Sequence, residues 1–475
     1  MKLTKILFIA ALLGLTGCSS TSEPEELVII HTNDTHSMID PEESTDMGGV
    51  LRRKVLIDSI RAEHPNVMVV DAGDIVQGTL YFHLFKGKVE QEVLNRLGYD
   101  LQILGNHEFD NGMDGLKNML AEARPTLLAS NYEFADSLLS AKFAPYYIKE
   151  AAGKKIGFMA INLNPEGMVA EGNYDGVTFL PWREKAQATI DRLRNDEKVD
   201  YVVAITHIGY NGSDENPDLF GDRQLAARTS GINLIIGGHS HTLLDPAEQV
   251  TGADGNPVLI CQLGKNGRYL GETKINLTTG EVTEKIIPVD SRLDSRRDEE
   301  LMKALEPYRA GVDSLYAHEV GRVATDEPLN NKSQKMWDFA GNFVLDRGRK
   351  LASGVEGAIS NKGGLRVTWN PGPLTEGQAI DMMPFNNRIV VIDIKGADLI
   401  EAFKVMDARG GDIAVGIPAG SDINPNRTYR IATIDYLANG GDYMEPLTRA
   451  KVVASSPKVA YEELLDYLSE NPIIK

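Results

Sequence analysis

With only two cysteines in 475 residues, the chain has no disulfide framework to hold it, so its stability must come from packing. Charge of one sign is also scarce where a nucleic acid would need it. The formal net charge is −19, and no run of Lys and Arg interrupts that excess, which excludes a general binder of nucleic-acid polymers. The apolar stretch "ILFIAALLGL" near the N-terminus is too short to span a bilayer. There is no Gly-x-Ser-x-Gly elbow and no Walker-type loop, so neither a serine acyl-enzyme nor a nucleoside-triphosphate cradle is indicated.

What is present begins with a targeting segment. Lys2 and Lys5 precede the short apolar stretch, and "LTGC" follows it, an arrangement that reads as a signal peptide over 1–17. The tetrapeptide resembles a bacterial lipobox, which implies lipid on Cys18, a solvated tether over 18–26, and an exported protein anchored through its lipid to the cell envelope, on the outer membrane or the periplasmic face. Lipid on Cys18 leaves Cys261 as the only free thiol, so no intramolecular disulfide forms. Cys261, inside "PVLICQLG", reads as a small core residue.

The length exceeds what one hydrophobic core supports, so the chain divides. "LVII", "VMVV", "LQIL", "TLLA", "IGFMAI", "YVVAI" and "INLII" are continuous apolar runs, the pattern of strands covered on both faces. Periodic helical segments such as "QEVLNRLG" and "REKAQATIDRLRNDE" lie between them, so the class is α/β. From residue 291 a charged, helix-forming stretch carries no strand signal and reads as a helical linker. The expected division is 27–290, a linker over 291–320, and a smaller α/β domain over 321–475.

The polar residues crowd at the ends of these strands. "LVII" runs into "HTNDTHS"; "VMVV" is followed by "DAGD", "LQIL" by "GNHE", "YVVAI" by "TH" and "INLII" by "GGHSH". In open α/β sheets ligands sit outside the carboxyl ends of strands, so five such endings converge on one place. Mixed imidazole and carboxylate donors suit borderline transition metals such as Zn, Mn, Fe or Co, and a shared carboxylate would hold two ions roughly 3.5–4 Å apart.

These residues carry a resemblance. "DTH", "GD", "GNHE", "TH" and "GHSH" in this order resemble the calcineurin-like metallophosphoesterase signature, and "HTNDTHS", "GNHEFDNG" and "GGHSHT" narrow it to the 5'-nucleotidase and UDP-sugar hydrolase family. The resemblance implies an N-terminal β-sandwich flanked by helices and two divalent metal ions, Zn, Mn, Co or similar. It places Asp34, His36 and His241 on one metal, Asn106, His207 and His239 on the other, and Asp74 between them. His241 stands where other members have glutamine. His107 and Asp110 correspond to the family's catalytic pair, a positioned imidazole that donates to phosphoryl oxygens and an aspartate that orients it. The nucleophile implied is a water activated by the dinuclear metal centre.

"NKGGLR", "MPFNNR" and "YLANGGD" resemble the nucleoside-binding segments of the same family's C-terminal domain. The implied roles are base stacking for Phe385 and Tyr436, ribose hydroxyls for Asp442, phosphate for Arg366, and a base or phosphate edge for Asn361. Tyr436 stands where phenylalanine is common. The family's further arginine has Arg347 and Arg349 as nearby counterparts without a clear match, and the stretch between "IDIKG" and "TYRIAT" is short. The resemblance implies hydrolysis of 5'-nucleotides to nucleoside and phosphate. The alternatives are a 2',3'-cyclic nucleotide phosphodiesterase with 3'-nucleotidase activity, a UDP-sugar hydrolase, and a nucleotide-binding lipoprotein without turnover. Its partners are then a nucleotide and, through lipid, a membrane; nothing in the sequence sets an oligomeric state.

Overall fold

The structure, a computed structural model, describes residues 26–42, 44–212, 220–418 and 422–475; the signal segment, Cys18 and nearly all of the tether lie outside the described residues. The apolar runs form strands that pack as two facing sheets. Glu26–Thr32, Val67–Asp71, Leu101–Gln102 and Thr126–Leu128 pair in parallel in that order, extended on one side by the antiparallel strands Tyr269–Asn276 and Val282–Pro288. In the facing sheet, Lys154–Asn162, Tyr201–His207, Leu234–Ile236 and Pro257–Cys261 are parallel, with antiparallel strands at both edges.

The continuous hydrophobicity of these strands has a direct cause. Leu27, Ile29, Met68 and Val70 point between the sheets and meet Phe158, Val203, Ile205 and Ile236. Their alternates Val28, Ile30 and Val69 point outward, where Val55, Ile57, Val93 and Leu94 of the helices Val50–Glu63 and Lys88–Leu97 cover them. On the other flank Met159, Ile161, Val202 and Ala204 are covered by Ala186 and Ile190 of the helix Trp182–Asp191. With both faces buried, alternation disappears from the sequence. The α/β class and the sandwich flanked by helices are therefore as expected, and the parallel strands bring their carboxyl ends to one edge.

The stretch after 290 is helical up to Ala317, but the strand Glu319–Val323 begins inside the expected linker, and the helix is docked along its length. Asp298 caps the helix Glu299–Ala317 by accepting from the backbone N–H of Leu301. Leu301, Leu305 and Val312 bury against the first core, while Tyr308 donates to Glu92 and Arg309 pairs with Asp40. Beyond it, a five-stranded sheet built on Arg388–Lys395 and Thr428–Ile434 packs on the helix Gln334–Leu351. The short region after "IDIKG" is the helix Gly396–Ala408 and the strand Ile413–Val415. Across the junction the rings of His83 and Tyr461 meet edge to face at 4.5 Å, and Asn386 donates to Asn111 at 3.1 Å. Among the described residues, no helix is long and apolar enough to cross a membrane.

Candidate active site

The backbone at the carboxyl edge of the sandwich is stitched across strands. Asp34 N–H donates to Gly73 O at 3.0 Å and His36 N–H to Asp74 O at 3.0 Å, and from the facing sheet the His239 N–H donates to the Asp34 carboxylate. Asp34, His36, Asp74, His239 and His241 all have positive φ, between 47° and 80°. For residues with a Cβ that conformation is costly, and several at one edge mark a place where function outweighs backbone comfort. Glycine is required beside them: a Cβ on Gly105 would stand 2.1 Å from Asp74 Oδ1.

The seven candidate ligands come together. Asp34, His36 and His241 present donor atoms within 4.8 Å of one another, as do Asp74, His207 and His239. Asn106 Oδ1 is 2.9 Å from His239 Nδ1, and His36 Nε2 is 2.8 Å from His241 Nε2. Hydrogen bonds from the far ring nitrogens set the tautomers. His36 Nδ1 donates to the Val76 carbonyl at 3.2 Å and His207 Nδ1 to the Ala72 carbonyl at 2.7 Å, so each turns its Nε2 into the cluster. His207 Nε2, 3.1 Å from Asp74 Oδ2, has no aligned hydrogen-bond partner.

Burial holds His36 well below the usual imidazole range, His239 at about 3 and His241 at about 4, leaving their lone pairs free at neutral pH. Burial works the same way on His207, but the carboxylates of Asp74 and Asp34 overcome it and raise that ring to about 10. The cluster thus draws positive charge to its centre. The neutral imidazoles of His36, His239 and His241 and the buried carboxylates of Asp34 and Asp74 are a donor set that fits divalent transition metals, and His207 joins it when an incoming cation displaces its Nε2 proton.

Next to it, His107 Nδ1 bonds Asp110 Oδ2 at 2.8 Å. Burial disfavours charge on His107, yet Asp110 and Asp74 outweigh that and lift it to about 9, so the ring is a proton donor at neutral pH. The His107 N–H also donates to Asp74 Oδ1 at 2.9 Å, which ties the pair to the central carboxylate.

His107, Asp110 and Asn106 line a cavity of about 900 Å³ together with Asn361, Arg366, Phe385, Tyr436 and Asp442. All five expected substrate residues therefore share a cavity with the expected catalytic pair, although they lie far apart in sequence. Arg366 lays its guanidinium on one face of Phe385, 4.9 Å from the ring centre. Asp442 accepts from Asn361 at 2.7 Å and from the Tyr436 hydroxyl at 3.2 Å.

Three residues of consequence carry no label in the sequence reading. Glu108, within "GNHE", accepts from the backbone N–H of Asp74 at 3.1 Å, of Ile75 at 2.8 Å, and of Gly105, so it shapes the loop that carries the central aspartate. Asp222 accepts from Thr206 at 2.6 Å, beside His207. Arg409 lines the cavity, whereas Arg347 is spent on Asp346 and Glu470 and Arg349 on the Val355 carbonyl. The Gly-Gly of "RGGD" echoes "NKGG" and "NGGD" and was the available sign for Arg409.

The fold and this cluster define a class. Residues 27–243 match the calcineurin-like phosphoesterase family, and the chain is a phosphoesterase of that fold. Residues 319–416 match the 5'-nucleotidase C-terminal domain, so the chain carries a calcineurin-like domain followed by a 5'-nucleotidase C-terminal domain. The rat 5'-nucleotidase is 26% identical, covering 99% of this chain and 92% of that protein. The trifunctional nucleotide phosphoesterase YfkN of Bacillus subtilis is 26% identical over 94% of this chain, which spans only 34% of YfkN. The crystal structure of a 5'-nucleotidase precursor from Thermus thermophilus superposes with a TM-score of 0.80 at 27% identity, covering 95% of this chain and 97% of that one. The family implies divalent metals, and the His and Asp groups at the sandwich edge are able to bind them.

Proposed function

We propose that the protein hydrolyses 5'-nucleotides to nucleoside and phosphate. The observation that supports this most is that His107 and Asp110 line the same cavity as Phe385, Tyr436 and Asp442 of the C-terminal domain. In this reading Asp34, His36 and His241 would hold one divalent ion and Asn106, His207 and His239 the other, with Asp74 between the two sets. When bound, such ions neutralise phosphoryl charge and make a water nucleophilic near neutral pH.

The protein's own groups do the rest. His107, protonated at neutral pH, donates from Nε2 to a phosphoryl oxygen as negative charge develops there, while Asp110 at Nδ1 holds the ring in place. Arg366 offers a planar donor fork toward the phosphate end. Phe385 and Tyr436 provide ring faces for the base, a contribution on the order of 1–3 kcal/mol per stack that tolerates base identity. The base thus fixes the far end of the substrate while the phosphate lies at His107 and Arg366, which converts binding into alignment.

The test is phosphate release by the purified chain from a panel of AMP, UMP, 2',3'-cyclic AMP, 3'-AMP and UDP-glucose, with Mn, Zn or Co supplied. Turnover fastest on the 5'-monophosphates is expected. A preference for the cyclic substrate or the UDP-sugar would overturn the assignment while leaving a phosphoesterase.

A further inference from the structure

Arg409 leaves the helix Gly396–Ala408 at its C-terminus and enters a turn in which Gly410 and Gly411 have φ of +87° and +81°. Residues with a Cβ adopt that conformation reluctantly, so the Gly-Gly pair is what reverses the chain here. The turn is fastened to the "NKGG" segment, since Lys362 Nζ donates to Gly410 O at 3.3 Å and Lys362 N–H to Asp412 Oδ1 at 3.4 Å. Arg409 is thereby brought up against the residue that follows the other Gly-Gly turn. Its Nη1 donates to the Asp442 carbonyl at 2.9 Å and to Asp412 Oδ2 at 3.2 Å, and its Nη2 lies 3.1 Å from Asp442 Oδ2.

These contacts fix the guanidinium without exhausting it. Among the described residues, Nε and one Nη2 hydrogen have no acceptor, and the side chain is 30% exposed on the cavity wall while its anchor Asp412 is 5% exposed. Asp442 is likewise held, by Asn361, Tyr436 and Arg409, and its carboxylate also lines the cavity. An immobilised acceptor and an immobilised donor fork side by side suit a group that both gives and takes hydrogen bonds at neighbouring positions. A vicinal diol is such a group: each hydroxyl donates its hydrogen to the carboxylate and accepts from the guanidinium.

We propose that Arg409 is a specificity-determining residue that, with Asp442, reads the 2',3'-diol of ribose and makes the enzyme select ribonucleotides over substrates lacking those hydroxyls. The proposal rests on the nucleotide reading above. A site built to bond a hydroxyl rejects the analogue without it because its own polar groups are then left unpaired. Arg409 lies in the C-terminal domain with the base rings, so its effect falls on binding of the sugar and not on the reacting phosphorus.

The experiment measures kcat/KM for AMP and for 2',3'-dideoxyadenosine 5'-monophosphate, in the wild type and in Arg409→Ala and Arg409→Lys. The two substrates share base and phosphate, so general structural damage lowers both alike and leaves their ratio unchanged. The expected wild-type preference for AMP is roughly 10-fold or more. It shrinks in Arg409→Ala, where Asp442 alone still reads the diol, through KM with little change in kcat, and Arg409→Lys restores part of it by keeping the charge while losing the fork. A preference that survives Arg409→Ala undiminished overturns the proposal and leaves the nucleotidase reading standing. A wild type that hydrolyses neither substrate overturns the nucleotidase reading and this inference with it.

Discussion

The two domains that line the cavity build their sites in different ways. At the sandwich edge, each donor rides on or directly behind a strand, most with positive φ and locked by bonds between neighbouring loops. In the C-terminal domain the polar groups are placed by one another: Asn361, Tyr436 and Arg409 all converge on Asp442. The first arrangement is determined by the backbone and the second by side chains. A backbone-determined site tolerates little, because moving one donor moves a strand end shared with the others. A side-chain network can lose one member and retain most of its geometry.

That contrast is sharpest at Asp74. Asp74→Asn should abolish turnover, with a loss exceeding the roughly 10–100-fold typical of disturbing an outer partner of a metal ligand. Metal content measured on the same samples should fall by at least one ion per chain. Full metal content with full activity would remove Asp74 from the centre.

His107→Ala separates binding from chemistry at the same edge. The ring is paired with Asp110 and is not needed as a ligand, so metals should remain while turnover slows by roughly 10²–10³. Loss of metal in this variant would mean that His107 ligates. Glu108→Gln probes the backbone itself. It leaves every donor in place but weakens the carboxylate that gathers the N–H groups of Asp74, Ile75 and Gly105, and a loss of about 10–100-fold, accompanied by weaker metal affinity, is expected.

In the C-terminal domain, Phe385→Ala forfeits one stack of on the order of 1–3 kcal/mol, hence about a 5- to 150-fold fall in kcat/KM on nucleotides. A small aryl phosphate does not use the base rings and should lose far less. Equal losses on both would show Phe385 to be a docking residue between domains.

How far the sequence revealed each site follows from the same contrast. The candidate ligands were readable because each is a local event, an apolar strand ending in His, Asp or Asn, and the two-faced burial of those strands was visible as unbroken hydrophobic runs. Glu108 sat inside a quoted motif and was still missed, because its partners are backbone N–H groups that no side-chain pattern announces. The linker was readable as a helix, but its docking through Leu301, Leu305 and Val312 was not, since burial on a partner surface is a tertiary fact. Arg409 had only the Gly-Gly of "RGGD" as a sign. It stands on a turn at the end of a helix, and only the fold brings it within reach of Asp442.

The smallest expected effect lies inside the network. On sequence grounds Tyr436→Phe should be nearly silent, because the ring face survives. The structure gives the hydroxyl work: it donates to Asp442 Oδ1 at 3.2 Å and accepts from the Asp442 N–H at 3.2 Å, so it helps hold a left-handed residue, φ 58°, in position. A hydrogen bond to a charged group is worth about 1.5–3 kcal/mol in isolation. Asn361 and Arg409 still restrain the same carboxylate, however, so most of that should be absorbed. The expected result is a fall of a few-fold in kcat/KM for AMP, well short of the Tyr436→Ala loss, with an aryl phosphate unaffected. If Tyr436→Phe matched the wild type, stacking would be the residue's whole contribution. If it matched Tyr436→Ala, the ring would serve mainly to carry its hydroxyl to Asp442, and this half of the site would be as intolerant as the strand edge.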